Sequence, residues 1–352
     1  MFSTYQLDDV TILLKDISGL ITPLDTKARE KKIQSGTHYS EMLPVEYEPS
    51  EKYMRIYKIA LTEYAGITAD AVARAAERIW AEKQERTALV SLARAGTSIG
   101  VLLKRYIKRK YGADIAHYTI SIIRGRGIDK NAMNYILERH RPEDIQFVDG
   151  WIGKGAIQRE LDNAVQAFPG VKPGLAVLSD PANIADITGT REDFLIASSC
   201  LNSVVSGLLS RTFLRSDVIG EDDFHGAAFY KELMDRDRTY EFINAVEEKF
   251  NFSLPADDAD NSPIKRYAGL DEAKDICEKF GIHDINLVKP GIGETTRVLL
   301  RRVPWKILVY RPDDERHLGH IYQLAREKGV ELVEYPLKHY RACGLIQTMS
   351  DQ

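Results

Sequence analysis

Apolar and polar positions alternate in short blocks along most of the chain, and the blocks predict strands joined by helices. "TALVSL" (87–92) is an unbroken apolar run of strand length, followed by the helix-forming stretch "SIGVLLKRYIKRKYG". "IAHYTISII" (115–123) alternates and is rich in β-branched residues, which predicts a second strand. "DKNAMNYILERH" predicts a helix with Asp129 as its cap. "IQFVD" predicts a third strand, "KGAIQRELDNAVQAF" a helix, and "GLAVLSD" (174–180) a fourth strand. Strand and helix in regular succession imply a parallel sheet covered by helices. Upstream, "EKYMRIYKIALTEYA" and "TADAVARAAERIWAEK" are two amphipathic helical stretches expected on the outside of that sheet, and "DVTILLKDI" an edge strand.

The pattern breaks at "SLPADDADNSPIK" (253–265), a polar, acidic segment punctuated by Pro255 and Pro263, as a linker should be. Two domains are therefore expected, 1–258 and 263–352. The second repeats the alternation on a smaller scale. "LDEAKDICEKFG" and "ERHLGHIYQLAREKG" predict helices, and "DINLVK", "WKILVY" and "VELVEYP" predict strands, together a small α/β domain.

Composition adds exclusions. Apolar residues make up 44% and charged residues 28% of 352, ordinary for a globular protein. A net charge of −4 argues against wholesale coating of nucleic acid, while residues 263–352 alone carry fifteen Lys and Arg against thirteen Asp and Glu. No apolar run approaches a membrane span, and the N-terminal stretch has no signal-peptide pattern. Cys200, Cys277 and Cys343 are far apart, which indicates neither a disulfide framework nor a zinc site; a reducing cytoplasm is the expectation.

The densest candidate chemistry is "FVDGWIGKGAI" (147–157), where a strand runs into Asp149 and then Gly150, Gly153 and Gly155 bracket Lys154 before a helix. Ligands of open parallel sheets sit at the carboxyl ends of the strands. A glycine-rich backbone there can turn its N–H groups inward beside a helix N-terminus, so a phosphate monoester is the expected ligand. Asp149 is then left for sugar hydroxyls or a metal hydrate. "SLARAGTSIG" (91–100) repeats the design with a turn at Ala93, Arg94, Ala95 and Gly96, and the Arg94 fork suits a diphosphate. "IIRGRGID" (122–129) adds Arg124 and Arg126 around Gly125. Arg105, Lys108, Arg109 and Lys110 follow helical spacing and read as a solvated face.

Strand, small loop, strand, arginine loop, then strand, Asp and glycine loop is the order found in type I phosphoribosyltransferases. More specifically, the chain resembles the phosphoribosyltransferase-like family of bacterial tellurite-resistance (Ter) stress operons, also described as the StiP cysteine proteases. The residues that carry the match are "DVTILLKDISG" (9–19), "GTHYSEMLPVEY" (36–47), "SLARAGTSIG", "FVDGWIGKGAI", "LSDPA" (178–182) and "FLIASSCLNSVVSGLLSRT" (194–212).

The resemblance implies a type I phosphoribosyltransferase-like domain. Its implied reaction moves a phosphoribosyl group from phosphoribosyl pyrophosphate, or a related ribosyl phosphate, to a nitrogen base. Mg²⁺ would ride on the diphosphate, with its protein ligands unassigned. In that scheme Gly150, Gly153, Lys154, Gly155 and Ala156 bind the 5-phosphate, Ala93, Arg94, Ala95 and Gly96 face pyrophosphate, and catalysis is electrostatic. The family's usual pair of acids is reduced here to Asp149, because Gly150 replaces the second. Asp180 is a candidate for the missing carboxylate. His38, Tyr39, Ser40 and Glu41 form either a hood over the acceptor or an ordinary surface loop. "SCLNSVVSGLLSRT" either lines the cleft near Ser206 and Arg211 or lets a helix pack closely.

The end of the chain resembles the Pelota-type relatives of the L7Ae ribosomal-protein fold, through "GIGETTRVLLRRVPWKILVYRPDD", "VELVEYP" and "YRACGLI". That implies contact with structured RNA through Gly291, Gly293, Glu294, Thr295 and Arg297. Two rival functions remain open. One is a cysteine protease with Cys200 as nucleophile and His38, His117 or His225 as partner. The other is a non-catalytic RNA-binding nucleotide sensor.

Overall fold

The computed structural model describes residues 2–46, 50–254 and 266–346. The expected linker at 253–265 falls almost wholly outside them, and with it the boundary between 1–258 and 263–352. The first part is built on a six-stranded sheet of β1 (Thr11–Ile12), β2 (Ala88–Leu92), β3 (Ala116–Ile120), β4 (Ile145–Val148), β5 (Leu175–Ser179) and β6 (Ile187–Thr190). The spatial order is β1-β3-β2-β4-β5-β6 and each pairing is parallel. The continuous apolar runs in β2, β4 and β5 follow from burial on both faces: Leu89 and Val148 point to one layer, Val90 and Phe147 to the other.

One face is covered by α1 (Glu51–Lys83), α2 (Ala95–Tyr111) and, further out, α5 (Thr239–Glu247). The other carries α3 (Lys130–Leu137) and α4 (Ala156–Ala164). Asp129 caps α3 by accepting from the Ala132 amide at 3.0 Å. The two amphipathic stretches expected before residue 86 are one helix, α1. Gly66 lies in its interior and costs about 1 kcal/mol relative to alanine, but the buried stripe Ala65, Ala69, Val72, Ala73 and Ala76 continues past it. Packing of that stripe outweighs the local penalty.

On α2 the solvated-face expectation is corrected at Arg105 and Lys110, which are mostly buried. Arg105 is bound to both Asp9 oxygens at 2.8 and 2.7 Å and to Glu247 at 2.5 Å. Arg109 also reaches Glu247, at 2.9 Å, Lys110 reaches Glu77 at 2.9 Å, and Lys108 reaches Asp114 at 3.4 Å. Arg105, Arg109 and Lys110 thus link α2 to α5, α1 and the N-terminal segment, while Lys108 and Arg109 stay largely exposed, as expected of a solvated face. Helical spacing shows which residues share a face and says nothing of what lies opposite.

The second part pairs β7 (Val288–Pro290), β8 (Pro304–Val309), β9 (Glu331–Glu334) and β10 (Ala342–Ile346) in the order β7-β10-β8-β9. The strand expected over "DINLVK" is shorter, because Ile285–Leu287 form a tight turn with Asp284 accepting from the Asn286 amide. Helix α6 (Ala268–Phe280) closes one face over Leu308, Cys343 and Leu345. Helices α7 (Ile292–Arg301) and α8 (Glu315–Lys328) cover the other, and their apolar residues Ile292, Leu299, Leu318 and Ile321 join the core beneath α1. Tyr64 Oη of α1 donates to the Arg316 carbonyl at 2.8 Å. One apolar core therefore runs through both parts. Among the described residues no helix is long and apolar enough to cross a membrane.

Candidate functional site

The glycine loop at the end of β4 holds the two parts together. Lys154 donates to the carbonyls of Ile285 and Val288, the latter at 2.6 Å. Burial, and secondarily the charge of Lys289, brings its amine down to about 8. Tyr340 Oη donates to the Gly153 carbonyl at 2.7 Å. Within the loop, the Gly150 carbonyl accepts from Leu178 N and Ile152 N donates to Ser179 O, both at 3.0 Å. Gly155 has φ 75°, and a Cβ there would stand 2.7 Å from Ile184 Cδ1. These glycines serve close approach and docking. The lysine meant for a phosphate caps carbonyls of the C-terminal part, more than a hundred residues away.

Asp149 keeps a partly exposed edge and accepts from the Gly150 amide at 2.7 Å. Desolvation drives its carboxyl from its ordinary 3.8 to about 7, against the smaller opposing effects of that amide and Arg297. Unfolding between those pH values releases a proton, so stability is present at low pH and declines as pH rises through about 7. Asp149→Asn keeps the acceptor for Gly150 and removes the ionisation. It is expected to raise stability at pH 8 by about 1–2 kcal/mol and to be neutral at pH 4, read from urea melts at both pH values.

The other expected residues divide between structure and surface. Gly96 lets α2 start against β4: a Cβ there would meet the Val148 carbonyl and stand 3.2 Å from Asp149 Cα. Ala93 continues from β2, its amide donating to Ile120 O at 2.9 Å, and Ala95 opens α2. Arg94 Nη1 donates to the Leu209 carbonyl at 3.0 Å. Arg211 lies over the Tyr39 ring at 4.7 Å, and burial, together with Arg94, lowers its guanidinium to about 10. Asp180 accepts from the amides of Ile184 and Ala185 at 2.6 and 2.8 Å and so shapes its own turn. Ser206 donates to Asn202 O at 2.7 Å in a stretch of tight turns, with no α-helix over 201–212. Glu41 is paired with Arg126. His38 uses one ring nitrogen on Ser40 Oγ and the other on the Arg124 carbonyl. The fold brings His38, Arg124 and Ala156 into one open groove, and keeps Asp149 out of its lining.

The stretch expected to meet RNA faces inward. Gly291 (φ 97°) precedes α7, whose first amide, Ile292 N, donates to both Asp193 oxygens at 2.9 and 3.1 Å. Arg341 N adds a bond to the same carboxylate at 2.9 Å. Desolvation lifts Asp193 to about 6, against these amides. A Cβ on Gly293 would lie 3.3 Å from Ser199 Oγ. Arg297 donates to the Ser199 carbonyl at 3.1 Å, covers the Trp151 ring at 5.3 Å, and pairs with Glu294, while Thr295 is fully buried. Asp193 is thus a cap supplied across the seam. Its sequence neighbours carry no sign of that role.

This seam also covers Cys200. The thiol closes the tight turn Ala197–Cys200, fully buried among Ile196, Leu201 and Val204, with α1 on one side and α7 on the other. In the same seam a cavity of about 20 Å³, enough for one water, is lined by Trp151, Asp193, Ser199, Gly291 and Glu294, and not by Cys200. Ser199 Oγ, buried at its edge, has no hydrogen-bond partner among the described residues. Of the other thiols, Cys343 lies in the C-terminal core and Cys277 is half-buried on α6; burial pushes both above the ordinary thiol range. His117 is held by Asp9 O and Ser91 Oγ, and His225 by Ser121 Oγ. Neither ring is presented to Cys200 by those bonds.

Comparison with known proteins settles the family. The family model described as "Tellurite-like stress resistance cysteine protease StiP" matches residues 3–247, and that of the "PELOTA RNA binding domain" matches 267–348. A protein named "Cysteine protease StiP", from Acinetobacter baylyi, is 36% identical over an alignment covering 98% of this chain and 94% of that protein. A crystal structure of a hypoxanthine-guanine phosphoribosyltransferase from Bacillus anthracis overlays at a TM-score of 0.28 and 16% identity, covering 36% of this chain and 76% of that one. A likeness that weak carries no argument.

The expectation of phosphoribosyl transfer is therefore overturned. The family and the full-length relative are described as cysteine proteases, hydrolases, so phosphoribosyl pyrophosphate and a nitrogen-base acceptor fall as partners. The physical reason lies in the glycine loop, whose lysine and Gly153 carbonyl dock the C-terminal part. By the extent of the StiP match and of the full-length relative, the chain belongs to the StiP family of tellurite-like stress resistance cysteine proteases, with a PELOTA RNA binding domain matched over 267–348.

Proposed function

We propose that this protein is a cysteine-dependent peptidase whose nucleophile is Cys200, held covered in the arrangement described above. One observation carries the reading: the matched span 3–247 contains a single cysteine, Cys200. A protease that works through a thiol has no other within that span. In the reaction the Cys200 thiolate attacks the peptide carbonyl carbon, the C–N bond breaks and the protonated amine leaves. Water then hydrolyses the thioester and restores the thiol. The buried position of Cys200 makes access the controlling step: the layers over the 197–200 turn have to part before a peptide reaches the sulfur.

The same proposal takes the parallel sheet to be of the type I phosphoribosyltransferase-like kind in architecture alone, and takes the protein to work in the cytoplasm. Three cysteines with no disulfide among them support the second point. A peptidyl acyloxymethyl ketone probe tests the nucleophile, with the adduct located by mass spectrometry. Labelling of Cys200 is expected. Labelling confined to Cys277, the more exposed thiol, overturns the assignment, as does the absence of any adduct.

A further inference from the structure

The open groove between the two parts has no role in peptide hydrolysis as proposed. Its volume is about 690 Å³, and both parts line it. From the N-terminal part come Tyr39, Arg124, Arg159 and Glu160, and from the C-terminal part Lys289 and Arg302. Four cations thus face a single carboxylate in a chain whose net charge is −4.

That carboxylate is already occupied. Glu160 accepts from the amides of Gly125 and Gly127 at 2.8 and 2.9 Å. The cations are not neutralised in the same way. Arg124 reaches the Asn286 side-chain carbonyl at 3.2 Å and Arg159 the Lys154 carbonyl at 3.0 Å, both neutral acceptors. Two carboxylates act electrostatically on Lys289 without forming an ion pair with it: Glu294, which is paired with Arg297, and Asp284, which accepts from the Asn286 amide and side chain. Among the described residues none of the four cations forms an ion pair with a carboxylate. Like charges gathered around an open groove repel one another, and an anionic chain laid between them removes that repulsion.

We propose that this groove binds the sugar–phosphate backbone of single-stranded RNA, with Arg124, Arg159, Lys289 and Arg302 as its phosphate contacts. The C-terminal wall belongs to the region matched as a PELOTA RNA binding domain. The stretch of that domain expected to meet RNA, Gly291 to Arg297, is consumed by docking on Asp193, Ser199 and Trp151. The groove is a basic surface that stays open in the docked arrangement. It also carries what a splayed strand needs besides charge: the His38–Tyr39 ring pair, with centroids 4.4 Å apart, and side-chain amides at Asn163 and Asn286. The proposal stands apart from the peptidase reading, since it uses none of the residues around Cys200.

Fluorescence anisotropy of a labelled mixed-sequence RNA 12-mer on the full chain tests it, between 50 and 200 mM salt. Four phosphate contacts predict a log–log salt slope of about −3 for a single strand, an affinity loss of about 50-fold across that range. R159E/R302E removes one contact from each wall, so binding should weaken at least about 10-fold at 100 mM salt and the slope should fall to about −1.4. R159Q/R302Q, matched to the parent by thermal melting, reads the same slope change should the charge reversal fold poorly. An unchanged affinity and slope in both variants overturns the proposal. So does tighter binding of the corresponding duplex, displacement by an acidic peptide in preference to RNA, or no binding of RNA by the parent chain. Hydrolysis by Cys200 is measured separately, so failure of one reading leaves the other legible.

Discussion

Replacing Cys200 by serine is expected to lower peptide hydrolysis by at least about 1,000-fold with little change in the melting temperature. The argument is chemical. A hydroxyl in the same buried position is a far poorer nucleophile than a thiolate, and the oxygen for sulfur exchange leaves the surrounding apolar contacts nearly intact. Cys200 sits among Ile196, Leu201 and Val204 with no exposed surface, so Cys200→Ala serves as the companion variant that avoids placing a hydroxyl there. Cys277→Ser, a change on a half-buried position of α6, should leave turnover as it was. Wild-type rates in both Cys200 variants would remove the thiol from the reaction and end the peptidase assignment.

Gly189→Ala is expected to cost at least about 3 kcal/mol, and Gly189→Val to yield insoluble protein. Gly189 lies in β6 directly beneath α1. A Cβ on it would run into the Ala71 carbonyl group, 2.7 Å from both its carbon and the Cα. Those atoms belong to the backbone of a 33-residue helix and have no rotamer to change. The helix is built for this approach, since Ala69, Ala71, Ala73, Ala75 and Ala76 are all fully buried. Gly66 of the same helix provides the contrast. It is exposed, and a Cβ there meets nothing within 4 Å. Gly66→Ala should therefore stabilise by about 0.5–1 kcal/mol through lower unfolded-state entropy and better helix propensity. Urea unfolding of the two alanine variants beside the parent distinguishes them; equal effects at the two sites would mean that α1 does not cross β6 this closely.

The chain's local pattern was enough for β1 to β5, for α2 to α4 and for the parallel class, while β6 and α5 went unread and α1 was read as two stretches. Apolar runs bounded by turns marked β2, β4 and β5, and Asp129 marked the start of α3, because periodicity and capping depend on residues a few positions apart. The motifs also carried the family, through segments that the matches to StiP and PELOTA cover. What the pattern did not contain was the destination of polar groups. Lys154 reads as a phosphate ligand until the carbonyl of Ile285 is found at its amine, 131 residues along the chain. Arg105 reads as a solvated surface charge until Asp9 and Glu247 close on it, and the glycines at 291 and 293 read as an RNA edge until Asp193 and Ser199 meet them. An amino-acid sequence fixes which groups need a partner, because each side chain carries its own charge, donors and apolar area. Only tertiary packing decides who that partner is, since in a folded chain the distance between two groups is set by the core beneath them and not by their separation along the backbone.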